Sequence, residues 1–304
     1  MFAAPRVVET SVFARLPEEF KTADQTNEWV ATQPLGSPHR SLLEGPSFDR
    51  DGNLWCVDVP NGRIFKVTRE GMFKLVATYD GWPNGLKLHA DGRIFVADYK
   101  NGIMLLDPVT GKVKPLLVRA NAERFKGVND LFLAANGDLY FTDQGLTGLH
   151  DPTGRLFRMR PDGRVTCLLD NIPSPNGLVM NRDESALFVA VTRGNCVWRV
   201  PFLRNGDIAK VGVYVQLSGG GGPDGLALDD KGRLLVAHVG MGTVWVFDRF
   251  GEPVCRIRSC ADTFTTNVAF GWPDRNTLYI TESQSATILK AELDVPGKIM
   301  YSHA

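Results

Sequence analysis

The sequence lacks long apolar runs and clusters of one charge. No stretch holds enough successive apolar residues to span a bilayer, and the first residues show no basic segment followed by an apolar one. Lys plus Arg and Asp plus Glu each total 34, so the formal net charge is +0, and no basic stripe is present. These absences predict a cytoplasmic protein that has neither a membrane nor a nucleic acid as its partner. They leave the oligomeric state open.

Cysteine is also scarce. The five cysteines are odd in number and scattered along the chain, which suits a reducing compartment. Cys56 and Cys196 stand in apolar, strand-like runs, where a thiol behaves as a small core residue. Cys255 and Cys260 are close enough in sequence to form a bridge, but their spacing does not resemble a zinc site.

Two common hydrolase motifs are missing. The chain has no Gly-x-Ser-x-Gly elbow and no His-Glu-x-x-His, which argues against a serine hydrolase and a zincin. A run of four glycines occupies residues 219–222, but no Lys-Ser or Lys-Thr and no helical pattern follows it. This run therefore predicts a flexible entry to the next strand rather than a phosphate-binding loop.

Glycine is plentiful, and it punctuates a repeat. Residues 224–251 consist of short β-branched and aromatic runs separated by glycine turns, a pattern typical of consecutive antiparallel strands. Similar units start roughly 40 to 48 residues apart, which is the length of one propeller blade. The six units begin at Glu44, Asn84, Asn129, Asn176, Asp224 and Asn267. The sequence therefore predicts an all-β fold, a six-bladed β-propeller with four-stranded antiparallel blades around a central channel, as one domain over residues 1–304.

Three segments do not fit the repeat. Residues 6–16 carry a β pattern, and we predict that they add an outer strand to the sixth blade, because a propeller must join its ends. Residues 17–43 are polar and include Trp29; we predict either a loop that covers the channel mouth or a solvated surface excursion. Residues 144–153 extend a connection in the third unit, which makes them a candidate pocket wall.

The first residues of the six units all carry side-chain oxygens. Asn and Asp before Gly are favoured where a loop enters a strand, which accounts for Asn84, Asn176 and Asp224. Turn chemistry does not account for Glu44, since Glu is a poor turn residue. Because pseudo-symmetry brings equivalent positions around one channel, we predict a functional ring at one of its mouths.

Such a ring requires a cation. Two carboxylates and several amide oxygens on one axis would repel or stay unpaired without one. Oxygen ligands suit a hard divalent ion, so we expect one Ca²⁺ ion as cofactor, with Zn²⁺, Mn²⁺ or Mg²⁺ as alternatives. With only two formal negative charges around it, the ion would keep the positive character needed to polarise a carbonyl or phosphoryl oxygen.

A second set of equivalent positions ends the second strand of each unit. An acid there can accept hydrogen bonds from the backbone of a neighbouring loop, so we interpret this set as structural, with His238 as a possible proton-transfer group. The set is Asp58, Asp98, Asp143, Val191, His238 and Glu282.

Several motifs together resemble the SMP-30/gluconolactonase/LRE-like family, the regucalcin-like sugar lactonases. They are Glu44-Gly45-Pro46, Asn129-Asp130, Pro175-Asn176-Gly177-Leu178, Pro223-Asp224-Gly225-Leu226 and Asn267-Val268-Ala269-Phe270-Gly271. They recur in the family's order and blades, and the resemblance extends over residues 40–294.

The resemblance implies a six-bladed propeller with a divalent metal in its channel. It implies Glu44, Asn176 and Asp224 as direct metal ligands, and Asn129 as a fourth ligand or a contact to the substrate and water. Sugar lactonases of the family often carry Arg two residues before the position of Asn129. This chain has Gly127 there, which argues against a sugar lactone as the substrate.

These observations predict metal-dependent hydrolysis of a small-molecule lactone. We expect Asp224 to act as the general base, with Asp130 as the second candidate. Asn84, Asn129 and Gln144 are the predicted substrate contacts. Two alternatives stay open: a metal-dependent, phosphotriesterase-like hydrolase, and a non-catalytic propeller whose metal is structural and whose faces bind a protein.

Overall fold

The short apolar runs of the repeat form strands, and the glycine turns between them form hairpins. A computed structural model describes residues 4–21, 28–33 and 41–304. Across these residues the strands form six antiparallel blades in a ring. The predicted six-bladed β-propeller is therefore confirmed.

The elements before the first blade are short. They are β1 (Arg6–Glu9), β2 (Ser11–Arg15), a 3-10 turn at Glu18–Phe20 and the one-turn helix α1 (Glu28–Ala31).

The first three blades follow in chain order. Blade one contains β3 (Leu43–Phe48), β4 (Leu54–Asp58), β5 (Arg63–Val67) and β6 (Phe73–Thr78), with a 3-10 turn at Val59–Asn61. Blade two contains β7 (Pro83–Leu88), β8 (Ile94–Asp98), β9 (Gly102–Leu106) and β10 (Val113–Leu117). A small hairpin follows, β11 (Arg119–Ala120) and β12 (Glu123–Arg124). Blade three contains β13 (Val128–Leu133), β14 (Leu139–Asp143), β15 (Gly154–Met159) and β16 (Val165–Ile172).

The remaining blades complete the ring. Blade four contains β17 (Pro175–Met180), β18 (Ala186–Val191), β19 (Cys196–Pro201) and β20 (Gly212–Gln216), with a 3-10 turn at Thr192–Gly194. Blade five contains β21 (Gly222–Leu228), β22 (Leu234–Val239), β23 (Thr243–Phe247) and β24 (Pro253–Arg258). Blade six contains β25 (Thr265–Phe270), β26 (Thr277–Glu282) and β27 (Thr287–Glu292), and a 3-10 turn at Tyr301–His303 follows.

The N-terminal strands close the ring. β2 pairs antiparallel with β27, so it supplies the predicted outer strand of blade six. β1 pairs parallel with β24 as a fifth strand of blade five, a pairing that the sequence pattern did not indicate. The Thr10 hydroxyl donates to Arg258 O and accepts from the Cys260 N–H. These hydrogen bonds hold the chain where it passes from blade five to blade six. No helix of the described residues is long and apolar enough to cross a membrane.

The core lies between neighbouring blades rather than in one central mass. Apolar side chains of adjacent sheets pack face to face in successive clusters around the ring, and Trp29 of α1 joins the cluster between blades one and two. Cys56, Cys196 and Cys255 are buried in these layers, and all five cysteines are free thiols. The predicted role of Cys56 and Cys196 as core residues is confirmed.

The C-terminal segment crosses the far end of the channel, where the turns after the innermost strands lie. The Lys298 ammonium contacts Glu184 of blade four at 2.8 Å, and the Arg50 guanidinium of blade one donates to Ser302 O at 2.9 Å. The Tyr301 ring packs against His89 of blade two. The segment thus ties distant blades together and leaves the opposite end of the channel to the predicted functional ring.

Close packing at the axis explains one recurring glycine. A Cβ built on Gly177 would lie 2.3 Å from Asp224 O in the next blade, which no side chain can accommodate. We expect Gly177→Ala to lower the free energy of unfolding by about 2–3 kcal/mol, since backbone would have to move. Gly212→Ala is the control, because that position has no atom within 4 Å of the built Cβ. Chemical denaturation of both variants checks this; equal stabilities would contradict it.

Candidate functional site

A register shift near the start of each innermost strand interrupts its pairing with the second strand of the blade. In blade four, Asn176 and Gly177 lie between the pairs Pro175–Val191 and Leu178–Val189, so two residues face one. The shift contains the predicted ring residue in blades two to five, whereas in blade one it follows Glu44 and in blade six it precedes Asn267. A bulge locally bends the strand and redirects its side chains. In blades two to five the bulge is therefore the local feature that aims the ring residue at the channel mouth.

A cavity of about 890 Å³ opens above this ring. Six of the predicted site residues line it: Glu44, Asn84, Asn129, Gln144, Asn176 and Asp224. Residues of the predicted loops also reach it, including Trp29, Gln33 and Leu42 from residues 17–43 and residues 145–150 from the third blade. Residues 22–27 and 34–40 of the predicted covering loop lie outside the described residues.

The Glu44 carboxylate is buried and held in one orientation. Its Oε2 accepts hydrogen bonds from the Gly45 N–H and from Asn267 Nδ2, both at 2.8 Å. Burial, followed by the charge of Asp130, raises the pKa of Glu44 to about 7. Asn267 therefore positions Glu44 from the neighbouring blade rather than lining the cavity itself. The prediction that Asn267 is the sixth ring member was wrong by one residue, because the pair Thr265–Glu282 puts Thr266 at the equivalent position, where it lines the cavity.

Asp224 lies across the mouth from Glu44. Burial and neighbouring carboxylates affect its side chain as they affect that of Glu44. Burial raises its pKa well above the ordinary value, and the charges of Glu44 and Asp130 raise it further. A hydrogen bond with Asn176 and the charge of Arg193 act in the opposite direction. The electrostatic coupling between Glu44 and Asp224 means that the two carboxylates are close enough to repel when both are ionised.

Asn129 is held by an amide chain that leaves one oxygen without a partner. Its Nδ2 donates to Gln144 Oε1 at 3.0 Å, and Gln144 Nε2 donates to Ser174 Oγ at 3.0 Å. The Oδ1 atom of Asn129 is buried and has no hydrogen-bond partner among the described residues. The oxygen and the nitrogen of the Gln144 side-chain amide both form hydrogen bonds within the protein, so Gln144 orients Asn129. Ser174, with φ 62°, was not identified from the sequence.

Asp130 lies beneath the cavity rather than in its wall. Its Oδ1 accepts from the Leu131 N–H at 2.7 Å, and Lys87 Nζ lies 3.9 Å from the same atom. Burial raises the pKa of Asp130, and the Lys87 charge counteracts this. A proton acceptor must reach the attacking water. This geometry favours Asp224 over Asp130 as the general base.

The second set of positions is structural, as the sequence indicated. Asp58 accepts from the Leu42 N–H, Asp143 from the Gly127 N–H and Glu282 from the Phe264 N–H. His238 is buried: its Nδ1 accepts from the Trp245 indole and its Nε2 contacts Gly219 O. Both ring nitrogens are thus engaged, and His238 does not line the cavity. The suggested proton-transfer role for His238 therefore has no geometric support.

The residues at the mouth fit a divalent cation. Among residues 4–21, 28–33 and 41–304 no three His, Cys, Asp or Glu side chains cluster as a metal site, so amide oxygens must contribute. A bound cation would give the unpartnered Oδ1 of Asn129 a partner and would offset the repulsion between the carboxylates of Glu44 and Asp224. Carboxylate and amide oxygens are the ligands of a hard cation.

The same repulsion predicts a pH dependence of the metal-free protein. Folding raises the pKa of Glu44 from 4.5 to about 7, so the folded state keeps a proton that the unfolded state loses between these values. Stability is therefore full below about pH 4.5 and falls as the pH rises toward 7, by up to about 1.4 kcal/mol per pH unit. Asp224 adds a change of the same sign.

Calorimetry in the presence of a chelator tests this dependence. We expect a higher melting temperature at pH 6 than at pH 8 in the chelated protein. Glu44→Gln removes the titrating group and is expected to flatten the profile. A melting temperature that rises toward pH 8 in the chelated parent protein would contradict the coupling.

Residues 42–284 match the family described as SMP-30/Gluconolactonase/LRE-like region. The chain belongs to this family. The resemblance inferred from the motifs is thereby confirmed.

Individual relatives agree with this assignment. A lactonase drp35 of Staphylococcus epidermidis is 33% identical over 228 residues, which cover 71% of this chain and 69% of the relative. The structure of a gluconolactonase from Xanthomonas campestris has a TM-score of 0.75 at 23% identity and covers 97% of this chain and 98% of its own. A calcium-binding protein, regucalcin, from Agrobacterium tumefaciens has a TM-score of 0.76 at 22% identity and covers 99% and 100%. The two structures establish the likeness of fold alone.

Proposed function

We propose that this protein is a lactonase, a carboxylic ester hydrolase that opens the ring of a small-molecule lactone. The observation that carries the proposal is the convergence of Glu44, Asn129, Asn176 and Asp224 on the floor of an open cavity. Relatives named lactonase support the reaction class. A binding pocket of this volume is typical of small-molecule sites.

We assign Glu44, Asn129, Asn176 and Asp224 as the residues that hold one divalent cation, with Ca²⁺ as the first candidate. The calcium-binding description of the regucalcin neighbour supports this choice. A cation held there would supply a Lewis acid for the ester carbonyl oxygen and positive charge that keeps the carboxylates ionised. Zn²⁺, Mn²⁺ and Mg²⁺ remain to be compared by assay.

The protein's own residues orient the lactone and deprotonate the attacking water. Asn84 lines the cavity and makes no side-chain hydrogen bond to a described residue, so its amide is free to bind the lactone. The Asp224 carboxylate accepts a proton from water as the water oxygen bonds to the carbonyl carbon. Collapse of the tetrahedral adduct breaks the bond to the ring oxygen. The proton then passes to that oxygen, and the product is a hydroxy acid.

A pH-stat assay tests the proposal. We expect acid release from lactones and much slower turnover of organophosphate triesters. The alternative, a phosphotriesterase-like hydrolase, would show the opposite preference. The non-catalytic alternative predicts no turnover of either class. The open cavity favours an enzyme over a propeller whose metal only stabilises the fold.

A further inference from the structure

One cationic side chain on the cavity wall has no partner among the described residues. Arg193 lines the cavity and is exposed. It forms no hydrogen bond and no ion pair with a described residue. It is also the only Lys or Arg among the described residues that line the cavity. Its charge is close enough to Asp224 to lower the pKa of that carboxyl, yet the two side chains are not paired.

The backbone beneath Arg193 is fixed. Arg193 belongs to the 3-10 turn Thr192–Gly194, which joins β18 to β19 on the mouth side of blade four. The Thr192 N–H donates to Ser174 O at 3.0 Å, and the Thr192 hydroxyl donates to Pro223 O at 2.8 Å. The turn is thus tied to the starts of blades four and five. A side chain on such a support is presented to the cavity from a defined point.

A second polar side chain flanks the same point. A Cβ built on Gly148 would lie 3.1 Å from His150 Nδ1 and 3.6 Å from Arg193 Cγ. His150 also lines the cavity. An imidazole N–H and a guanidinium on one wall are donors suited to a carboxylate.

The rest of the cavity differs in character. Trp29 and Leu42 line the side formed by blade one, which stands opposite blade four in the six-membered ring. Tyr99 lines the wall at blade two, and its ring fills the space where a side chain at Gly127 would project, 2.6 Å from a built Cβ. The metal-binding floor therefore lies between an apolar wall and a cationic wall.

The equivalent cation of another blade behaves differently. Lys100 occupies the same position after the second strand of blade two that Arg193 occupies in blade four. It forms an ion pair with Asp80 at 2.6 Å and lies over the Trp82 ring. The charge of Lys100 is thus satisfied within the protein, whereas that of Arg193 is available to a ligand.

We propose that Arg193, flanked by His150, binds an anionic group of the substrate, so that the preferred lactones carry a carboxylate on the ring. This inference rests on the proposed lactone hydrolysis and names its substrate class. The guanidinium can donate two parallel hydrogen bonds to a carboxylate, which a neutral amide in the same place cannot accept equally well.

A matched pair of substrates tests this assignment. They are 5-oxotetrahydrofuran-2-carboxylate and its carboxamide, which share a five-membered lactone and differ in charge. With the cation saturating, we expect the parent protein to favour the carboxylate about tenfold in kcat/KM at low ionic strength, mainly through KM. Arg193→Gln is expected to bring the ratio close to one. Lys100→Gln removes the same charge from the rim and is expected to keep the ratio.

The controls separate this inference from the proposed function. Hydrolysis of both lactones with no preference in the parent protein, or a preference that survives in Arg193→Gln, would overturn the role of Arg193 alone. A second readout is calorimetric binding of cyclopentanecarboxylate compared with cyclopentanecarboxamide. If binding of the carboxylate depends on Arg193 while no lactone is hydrolysed, the anion site stands and the proposed lactonase reaction fails.

Discussion

Asp224→Asn is expected to lower kcat/KM for lactone hydrolysis by about a thousandfold or more at saturating cation. The substitution removes the proposed base and one negative charge from the proposed cation site, while the side chain keeps its size. General-base catalysis contributes about 10²–10⁴ in rate, and weaker cation binding adds to the loss. The pH-stat assay with a cation titration measures both effects.

The stability of this variant is expected to change in the opposite direction. Without a cation, Asp224 is repelled by Glu44 and Asp130. The chelated Asp224→Asn protein should therefore melt at a higher temperature than the chelated parent protein at pH 8. A control is Asp170→Asn, which changes an exposed carboxylate far from the channel. Near-normal turnover by Asp224→Asn would refute the assignment of the base.

Removal of the divalent cation is expected to have the second large effect. Chelation should reduce lactone hydrolysis to below about 1%, because the ester carbonyl loses its Lewis acid. Restoring single ions should recover the activity, with Ca²⁺ as the expected first choice. A ligand present at about 100 times its Kd stabilises a fold by about 2.7 kcal/mol. Chelation should therefore also lower the melting temperature.

Two ring amides provide a matched comparison for this experiment. Asn129→Ala removes the unpartnered Oδ1 and is expected to raise the cation concentration needed for half-maximal activity. Asn84→Ala removes a predicted substrate contact and is expected to raise KM without changing the cation requirement. Turnover that is unaffected by chelation would leave the metal with a structural role only, as in the non-catalytic alternative.

The position of the ring is set by backbone features that the repeat pattern does not display. Asp224 and Gly225 lie between the pairs Pro223–His238 and Leu226–Val236, so the bulge turns Asp224 toward the mouth. In sequence, Asp-Gly at this place is equally compatible with an ordinary turn. Only strand register distinguishes the two, because it depends on which residues of the neighbouring strand are paired.

Three details of the site could not be predicted from the sequence and are visible only in the tertiary structure. Asp130 follows Asn129 directly in sequence, yet it lies beneath the cavity with its oxygen bonded to the Leu131 N–H. His238 ends a strand near the mouth, but the Trp245 indole and Gly219 hold it in the wall. Arg193 belongs to no sequence motif, and only the structure shows that no described residue forms an ion pair with it.

The sequence alone determined the propeller, the number of its blades and the equivalence of five of the six ring positions, because a repeated pattern of strands and turns is a local property of the chain. It also supplied the family, because the motifs occur in order. The tertiary structure decided which ring members face the cavity, that β1 joins blade five, and that no residue of the described part of the chain pairs with Arg193. These outcomes depend on contacts between blades far apart in sequence, where burial and charge act through space.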